Sequence, residues 1–308
     1  MMFIVFSILS HWLIVLALSP LFAGIIAKIK AFFAGKKGPS YFQLYFDLRR
    51  LFMKNCVYSR STTWVFRFAP IVNLAAVLVL SLIIPLGSFK APVHFSGDIL
   101  LAAYVLGLAR FFMIIAALDT SSSFEGMGAS REAFFSCLSE MVLFMNFITL
   151  AFLTHSISLS TMIGADIPMS WKMAGTVLLL VVGSLFIVLL TENSRIPVDD
   201  PDTHLELTMI HEVMLLDHSG VDLGFMLYAS AIKLFIFAGI LVPIVYPVQT
   251  GIPLLDTLIF LGGMLGLSIV IGVVESTMAR LRLNRVRNLL LIAFALAFFG
   301  FVVKMWKG

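Results

Sequence analysis

The sequence predicts an all-α integral membrane protein with eight transmembrane helices. Apolar residues make up 60% of the 308-residue chain and charged residues 12%, against about 45 to 50% and 25% in an average globular domain. The mean hydropathy is +1.05. The apolar residues form runs of the length, about 20 residues, that a helix needs to cross a hydrocarbon core. Strands of a membrane barrel would be about 9 to 11 residues long and would alternate in polarity, so the runs indicate helices.

Eight such runs follow one another, and their bounds are defined to within several residues. The first is too long for a secretory signal, lacks a basic segment before it and is followed by lysines, so we expect it to be the first spanning helix. The runs cover about 2–26, 66–89, 99–118, 133–154, 173–190, 223–246, 254–274 and 286–303.

Basic residues distribute unequally between the two sides of this predicted bundle. Most lie in the odd-numbered loops, at about 27–65, 119–132, 191–222 and 275–285. The other side has only Lys90, Lys172, Lys304 and Lys307. By the positive-inside rule the odd-numbered loops face the cytoplasm and both termini lie on the outer side. We expect one membrane domain over residues 1–308.

Two classes of function are disfavoured by the sequence. The basic residues sit beside helix ends without interleaved aromatic side chains, which argues against nucleic-acid binding. Cys56 and Cys137 are the only cysteines and lack metal-ligand spacing, so the cysteines predict neither a zinc site nor an iron–sulfur cluster in this chain.

The first cytoplasmic loop contains a candidate amphipathic helix at residues 41–55, YFQLYFDLRRLFMKN. Its aromatic and leucine side chains fall mostly along one side, with charged side chains elsewhere. This pattern favours a helix in the membrane surface or beneath a partner. The Gly-Lys-Lys-Gly-Pro segment at 35–39 supplies a turn before it; a plain connector is the alternative.

Four ionisable residues fall within or at the end of the apolar runs: Arg110, Glu140 and Lys233 lie inside them, and Glu275 lies at the cytoplasmic end of the seventh. A charge at a helix centre costs about 2.5 to 3.5 kcal/mol on insertion scales, so each should face the bundle interior or water. Glu140 has no basic residue three or four positions away, so burial would disfavour its charged form unless another helix supplies a cation. Lys233 is a candidate partner for Glu140 or a member of a proton relay, with a snorkelling lysine or a static ion pair as the alternatives.

The loop at 191–222 is rich in acids and has Arg195 as its only strong cation. Apolar residues recur there at helical intervals, which predicts a helix with one apolar and one titratable face. A di-histidine metal site is an alternative, although metal pairs on helices are normally four residues apart. The ionisable residues are Glu192, Asp199, Asp200, Asp202, Glu206, Glu212, Asp217, Asp222, His204, His211 and His218.

The loop at 119–132 has its own acid–base cluster, FEGMGASRE from Phe124 to Glu132 with Asp119 just ahead, and it includes Glu125 and Arg131. Ser130 followed by Arg-Glu-Ala is typical of a helix start, so a capping role for Ser130 is the alternative to a functional cluster.

These motifs resemble the formate hydrogenlyase subunit 4 family, the membrane subunit of group 4 [NiFe]-hydrogenases and a relative of the complex I subunit that forms the quinone chamber. The likeness extends from about Lys36 to Arg282. It is based on Ala109-Arg-Phe-Phe, on LDTSSSFEGMGASREA from Leu118, on RIPVDDP from Arg195 and on Asp217-His-Ser-Gly.

The resemblance implies an eight-helix subunit of a bacterial or archaeal cytoplasmic membrane complex, without a cofactor of its own. The expected partners are peripheral large and small hydrogenase-like subunits, an iron–sulfur protein and antiporter-like membrane subunits. The [NiFe] centre and the iron–sulfur clusters would lie in the peripheral subunits. The implied function is coupling of redox chemistry to proton or sodium translocation.

Carried over residue by residue and combined with the buried charges, the resemblance gives two sets of candidate residues. The proton path would use Glu140, Lys233, Glu192, Asp199, Asp202, His204, Glu206, Asp217 and Glu275. The interface with the peripheral arm would use Arg195, Asp119, Glu125, Arg131, Arg49 and Arg50.

The chain departs from its complex I relatives at two positions of the acidic loop. Val198 stands where they have an aromatic residue that contacts the quinone, and His204 replaces an acid. These changes disfavour a quinone as the electron carrier, and His204 would add a group that titrates near neutrality. A purely structural membrane anchor is the first alternative function. A stand-alone cation transporter is the second, and it lacks the internal repeats that such folds show.

Overall fold

The computed structural model describes residues 2–87, 89–164, 167–200, 208–247 and 250–307. Eight of its helices are long and apolar enough to cross a membrane, which confirms the predicted fold class. They are α1 (Met2–Phe33), α3 (Trp64–Ser81), α4 (Asp98–Asp119), α5 (Ser123–Thr154), α7 (Ile167–Glu192), α8 (Gly220–Val245), α9 (Pro253–Thr277) and α10 (Leu283–Lys307). Shorter helices are α2 (Gln43–Phe52), α6 (Leu159–Met162) and a 3₁₀ helix at Glu212–Leu215.

Helix α8 lies at the centre of the bundle and packs against α1, α2, α3, α7 and α9. Apolar residues all around its circumference, such as Ile232, Phe235 and Ile236, are buried, as expected of a helix enclosed by others. Helices α4 and α5 pack on each other, and α10 packs against α5 and α7. The charged residues of α4, α5, α7 and α8 are thereby brought to one interior region.

The loops after α1, α4, α7 and α9 meet at one end of the bundle, which we call the basic face. Ser219 Oγ donates to the Val57 carbonyl at 3.4 Å, and Asp119 accepts the Thr63 N–H at 2.6 Å. The loops at the other end also contact each other, since Ser158 donates to Asp98 at 2.8 Å. The loops therefore group as the count of spans predicts.

Helix α5 begins ten residues before the predicted run. The expectation that Ser130 caps a helix is wrong, because Ser130 lies inside α5 and donates to the Met127 carbonyl at 2.9 Å. The early start is explained by packing: a Cβ at Gly128 would lie 2.2 Å from the Val213 side chain. Only a glycine allows α5 to lie so close to the 3₁₀ helix.

The segment predicted as an amphipathic helix contains α2. Leu48 is buried, and the Phe52 ring lies 2.8 Å from where a Gly224 Cβ would be. These side chains pack α2 onto α8, whereas Phe42 and Phe46 are exposed. The location of α2 in a membrane surface stays a prediction.

The prediction of a helix in the acidic loop is wrong for residues 208–219. Only the 3₁₀ helix forms there, and the apolar side chains of Met209, Ile210, Val213 and Met214 are buried. Asp199 accepts the N–H groups of Ile210 and His211 at 3.0 and 3.1 Å. Such side-chain bonds to the backbone compete with helix formation. Asp202, His204 and Glu206 lie outside the described residues.

Candidate functional site

Five ionisable side chains from four helices meet inside the bundle. They are Arg110 on α4, Glu132 and Glu140 on α5, Glu192 at the end of α7 and Lys233 on α8, which we call the central charge cluster. Their convergence follows from the packing of α4 on α5 and of α7 on α8.

Glu192 joins the two cations of the central charge cluster. Its oxygens accept from Arg110 Nη2 at 2.7 and 2.8 Å, and Lys233 Nζ lies 2.8 Å from Oε2. Ser139 also donates to this carboxylate. The Glu192 side chain is only 4% exposed. A carboxylate this deeply buried needs such a set of charged and polar partners to stay ionised.

Arg110 connects Glu192 to the two carboxylates of α5. Its Nη1 forms an ion pair with Glu140, and its Nε lies 3.9 Å from Glu132. Glu132, Ser139 and Glu140 follow the i, i+7, i+8 spacing of one helical face. The planar guanidinium fork can hold separate carboxylates at its different edges, which a lysine ammonium cannot do as rigidly.

The expected pairing of Lys233 with Glu140 is wrong. Lys233 pairs with Glu192, and Glu140 receives its cation from Arg110. The reason is helix adjacency, because α5 neighbours α4 whereas α8 neighbours α7. The condition for a charged Glu140, a cation supplied by another helix, is met by Arg110.

Two small cavities flank Glu192. One, of about 40 Å³, is lined by Arg110, Lys233, Asn73 and His211 among others, and has room for roughly two or three waters. The other, of about 10 Å³, lies toward Glu132, Ser139 and Asp199. Pockets for drug-sized ligands measure about 300 to 1,000 Å³. In this structure the cluster therefore has space for water beside its charges, and neither cavity has the volume for a quinone ring system.

A second group of charges, which we call the α1–α9 charge cluster, lies beside the acidic loop. Glu275 is fully buried, with Lys30 Nζ at 3.3 Å and Arg195 Nη1 at 3.5 Å. Asp200 lies 3.9 Å from Lys30 Nζ. Arg195, expected at the partner interface, thus makes an ion pair within the chain and ties the loop to α9.

Asp199, a candidate for the proton path, instead organises the loop. Its carboxylate is 1% exposed and pairs with Arg280 Nη2 at 2.7 Å, in addition to its two backbone bonds. Arg280 also donates from Nη1 to Thr208 Oγ1 at 3.1 Å. No sequence signal singles out Arg280, because it lies among other arginines beside a helix end.

The remaining candidates divide between buried and exposed positions. Glu125 is buried and accepts the Asp217 N–H at 3.0 Å, so its carboxylate is not available to a docking partner. Arg131 donates to the Met209 carbonyl at 2.8 Å. Arg49 and Arg50 are exposed, as is the residue Asp217. Asp119 holds the start of α3 through Thr63, whose Oγ1 donates to it at 2.9 Å.

His218, just before α8, is a buried imidazole stacked on Phe66 with ring centroids 4.0 Å apart. Burial lowers its pKa from 6.5 to about 4, although the Asp222 carboxylate acts in the opposite direction. The His218 imidazole therefore becomes protonated below about pH 6.5 in the unfolded chain, and only below about pH 4 in the native structure. The neutral imidazole contributes stability above pH 6.5, and that contribution is lost as the pH falls through this window.

We expect the thermal stability of the detergent-purified protein to fall more steeply between pH 7 and 4.5 in the wild type than in His218→Phe. Phenylalanine keeps the stacking and removes Nδ1, which has no hydrogen-bond partner in the described residues. The exposed His155, changed to asparagine, is the matched control and should leave the pH dependence unchanged. Identical slopes for wild type and His218→Phe would contradict the assignment.

Comparisons with known proteins agree over nearly the whole chain. The sequence model of the family described as NADH dehydrogenase matches residues 5–305. The chain is 29% identical over 306 residues to hydrogenase-4 component C of Escherichia coli (strain K12), covering 97% of this chain and 96% of that protein. It is also 29% identical over 297 residues to formate hydrogenlyase subunit 4 of the same organism, covering 94% and 95%. The resemblance found in the sequence motifs is confirmed.

More distant relatives extend the likeness. An NADH-quinone oxidoreductase subunit of Anaplasma phagocytophilum (strain HZ) is 26% identical over 207 residues, which are 60% of each chain. A solved structure of membrane-bound sulfane sulfur reductase, an archaeal respiratory membrane complex, matches with a TM-score of 0.83 and 20% identity, covering 97% of this chain and 99% of that chain. At this identity the structural match supports the fold alone.

Proposed function

The chain belongs to the NADH dehydrogenase family, and from this membership we propose that it is the membrane coupling subunit of a complex I-like hydrogenase or oxidoreductase. It anchors a peripheral redox arm and couples redox chemistry there to proton or sodium translocation. The relatives that it covers almost completely are named as hydrogenase and formate hydrogenlyase components, which supports the hydrogenase type.

The observation that carries the proposal is the central charge cluster. Two cations and three carboxylates lie inside a membrane bundle, so the cluster has one negative charge in excess when every group is ionised. Ionisable groups within membrane spans are costly and are characteristic of ion pathways. A static anchor would not need three carboxylates around one guanidinium.

The excess charge gives the cluster a way to bind and release a proton. Glu192 is fully enclosed by Arg110, Lys233 and Ser139, whereas the Glu140 side chain is 38% exposed. Glu140 is therefore the less enclosed carboxylate of the pair, and in this proposal it is the one that exchanges a proton. When Glu140 takes up a proton, Arg110 is left to Glu192 and Glu132, and the cluster becomes neutral.

Signals from the redox arm would reach the cluster through the acidic loop. His211, Asn193 and Ser194 of this loop line the cavity that holds Arg110 and Lys233. If a partner docked on the basic face shifts this loop, the positions of water molecules and the electric field at Glu192 change. The peripheral subunits would supply the [NiFe] centre and the iron–sulfur clusters, and antiporter-like subunits would carry the ion onward.

The distribution of basic residues bears on the orientation of the chain in the membrane, and the size of the cavities bears on whether a quinone binds. We propose that the basic face lies in the cytoplasm and both termini lie outside the cytoplasmic membrane of a bacterium or archaeon, which the excess of basic residues in the loops of that face supports. The small cavities and Val198 favour electrons that remain in the metal centres of the partners over a quinone bound here.

We expect Glu140→Gln to reduce ion translocation at least tenfold in proteoliposomes that contain the whole complex, while electron transfer and assembly are retained. The amide keeps the shape of the side chain and removes its charge and its proton site. Proton uptake per electron is measured with a pH-sensitive dye. Sodium uptake per electron is measured separately, because sodium is the alternative ion. Asp47→Asn is the matched control, because the Asp47 side chain on α2 is also 38% exposed and lies outside the cluster.

Unchanged ion uptake per electron in Glu140→Gln would support the structural anchor instead. Ion transport by the purified chain alone, without any partner, would favour the stand-alone transporter and overturn the coupling proposal.

A further inference from the structure

We propose that a groove between α1 and α9 at the basic face binds an anionic phospholipid. The groove has a volume of about 410 Å³ and brings Lys28, Lys36 and Lys37 together at one end. Its walls along the spans are apolar. This site is separate from the central charge cluster, and it stands whether or not the chain couples ion transport.

The lysines are gathered by a turn that reverses the chain after α1. Gly35 and Gly38 have φ values of +66° and +65°, and the Lys36 N–H donates to the Ala31 carbonyl at 2.9 Å. A Cβ at Gly38 would lie 2.3 Å from the Ala31 Cβ. The glycines thus fold the loop back onto the end of α1.

The folded loop holds Lys28 in place and leaves its charge uncompensated. Lys28 Nζ donates to the Lys37 carbonyl at 2.7 Å and lies 5.7 Å from the centre of the Tyr41 ring. Within the parts of the chain that the structure describes, no carboxylate forms an ion pair with Lys28, Lys36 or Lys37. Lys30, two residues away, instead faces Glu275 and Asp200. The groove therefore concentrates positive charge that a negative ligand would balance.

The apolar part of the groove identifies the ligand as a lipid. Ile25 and Ile29 of α1 and Ile269 of α9 line it on the membrane side of the lysines, and Ile269 is 50% exposed. The helices touch at its base, where a Gly272 Cβ would lie 2.8 Å from the Ile29 side chain. A phosphate alone would leave these isoleucines uncovered, whereas the acyl chains of a phospholipid would lie along them.

The position along the spans agrees with the depth of a headgroup. Lys28 lies in the last turns of α1 and Lys36 and Lys37 follow its end, where basic side chains meet the phosphate region, and the isoleucines lie where acyl chains begin. Basic pockets between spanning helices at a membrane surface recognise anionic headgroups in this manner. Charge complementarity and the apolar wall together select an anionic over a zwitterionic lipid.

The test measures lipid binding to the purified, delipidated complex by native mass spectrometry. Phosphatidylglycerol and phosphatidylcholine with the same acyl chains are titrated separately, and phosphatidylglycerol should bind several-fold more tightly. Lys36→Gln/Lys37→Gln should weaken phosphatidylglycerol binding roughly 25-fold, which is about fivefold for each lysine near the surface. Both lysines are exposed, so the variant should assemble normally.

Lys54→Gln/Arg60→Gln is the matched control, because it removes two exposed charges from the same loop outside the groove. It should bind phosphatidylglycerol as the wild type does. Excess inorganic phosphate should displace little of the bound lipid. Equal binding of the two lipids, unchanged binding in the double lysine variant, or full displacement by inorganic phosphate would each overturn the proposal.

Discussion

Arg110→Gln is expected to reduce the amount of assembled complex by an order of magnitude or more. Arg110 contacts Glu192 and Glu140 and lies near Glu132, so its loss leaves three carboxylates with Lys233 as their only cation in the cluster. Breaking a buried ion pair by removing one partner costs about 3 to 5 kcal/mol. Glutamine can donate two hydrogen bonds but brings no charge, so it does not replace the guanidinium.

The yield of complex from solubilised membranes and its thermal stability measure this effect. Arg110→Lys separates charge from geometry, because an ammonium restores the charge but lacks the fork that reaches several carboxylates. We expect it to recover part of the assembly and little of the ion transport. Arg287→Gln, an exposed arginine on α10, is the control and should assemble normally. Normal yield and stability of Arg110→Gln would show that the cluster contributes little to folding.

The spanning helices could be predicted from the sequence because the bilayer imposes their length and composition. The early start of α5 could not, since glycines such as Gly126 and Gly128 are typical of a loop in water. The small size of Gly128 is explained by its contact with Val213. The fold of the acidic loop could not be predicted from the sequence either, because Asp199 and Arg280, which hold it together, are far apart in the sequence.

The members of the central charge cluster were largely visible in the sequence, and their pairing was not. Arg110, Glu140 and Lys233 stand out because they interrupt apolar runs. Which cation serves which carboxylate depends on helix adjacency, and the sequence has no local signal for that. Glu132 is predicted only as part of the acid–base cluster of the loop at 119–132, because it lies just before the predicted run. The sequence also has no local signal for the pairing of Arg195 with Glu275. Arg195 is therefore predicted at a partner interface, although its ion pair lies within the chain.

Glu192→Gln is expected to abolish ion translocation and to lower assembly of the complex. Glu192 is the carboxylate of the cluster that contacts both Arg110 and Lys233. Its neutralisation leaves the Lys233 ammonium without its ion-pair partner, and a buried unpaired charge is strongly destabilising. Blue native electrophoresis of solubilised membranes measures assembly, and ion uptake per electron in proteoliposomes measures translocation.

The double variant Glu192→Gln/Lys233→Met separates the structural contribution of this pair from its contribution to transport. Replacing a buried ion pair with neutral side chains of similar size is often close to neutral for stability, so the double variant should assemble better than Glu192→Gln alone. Ion translocation should stay at background, because Glu192 is then absent as the carboxylate that holds Arg110 when Glu140 takes up a proton. Restored assembly together with restored translocation would mean that the pair only holds helices together. A double variant that assembles no better than Glu192→Gln would mean that Lys233 is not destabilising when unpaired, and that water reaching the cavity already solvates it.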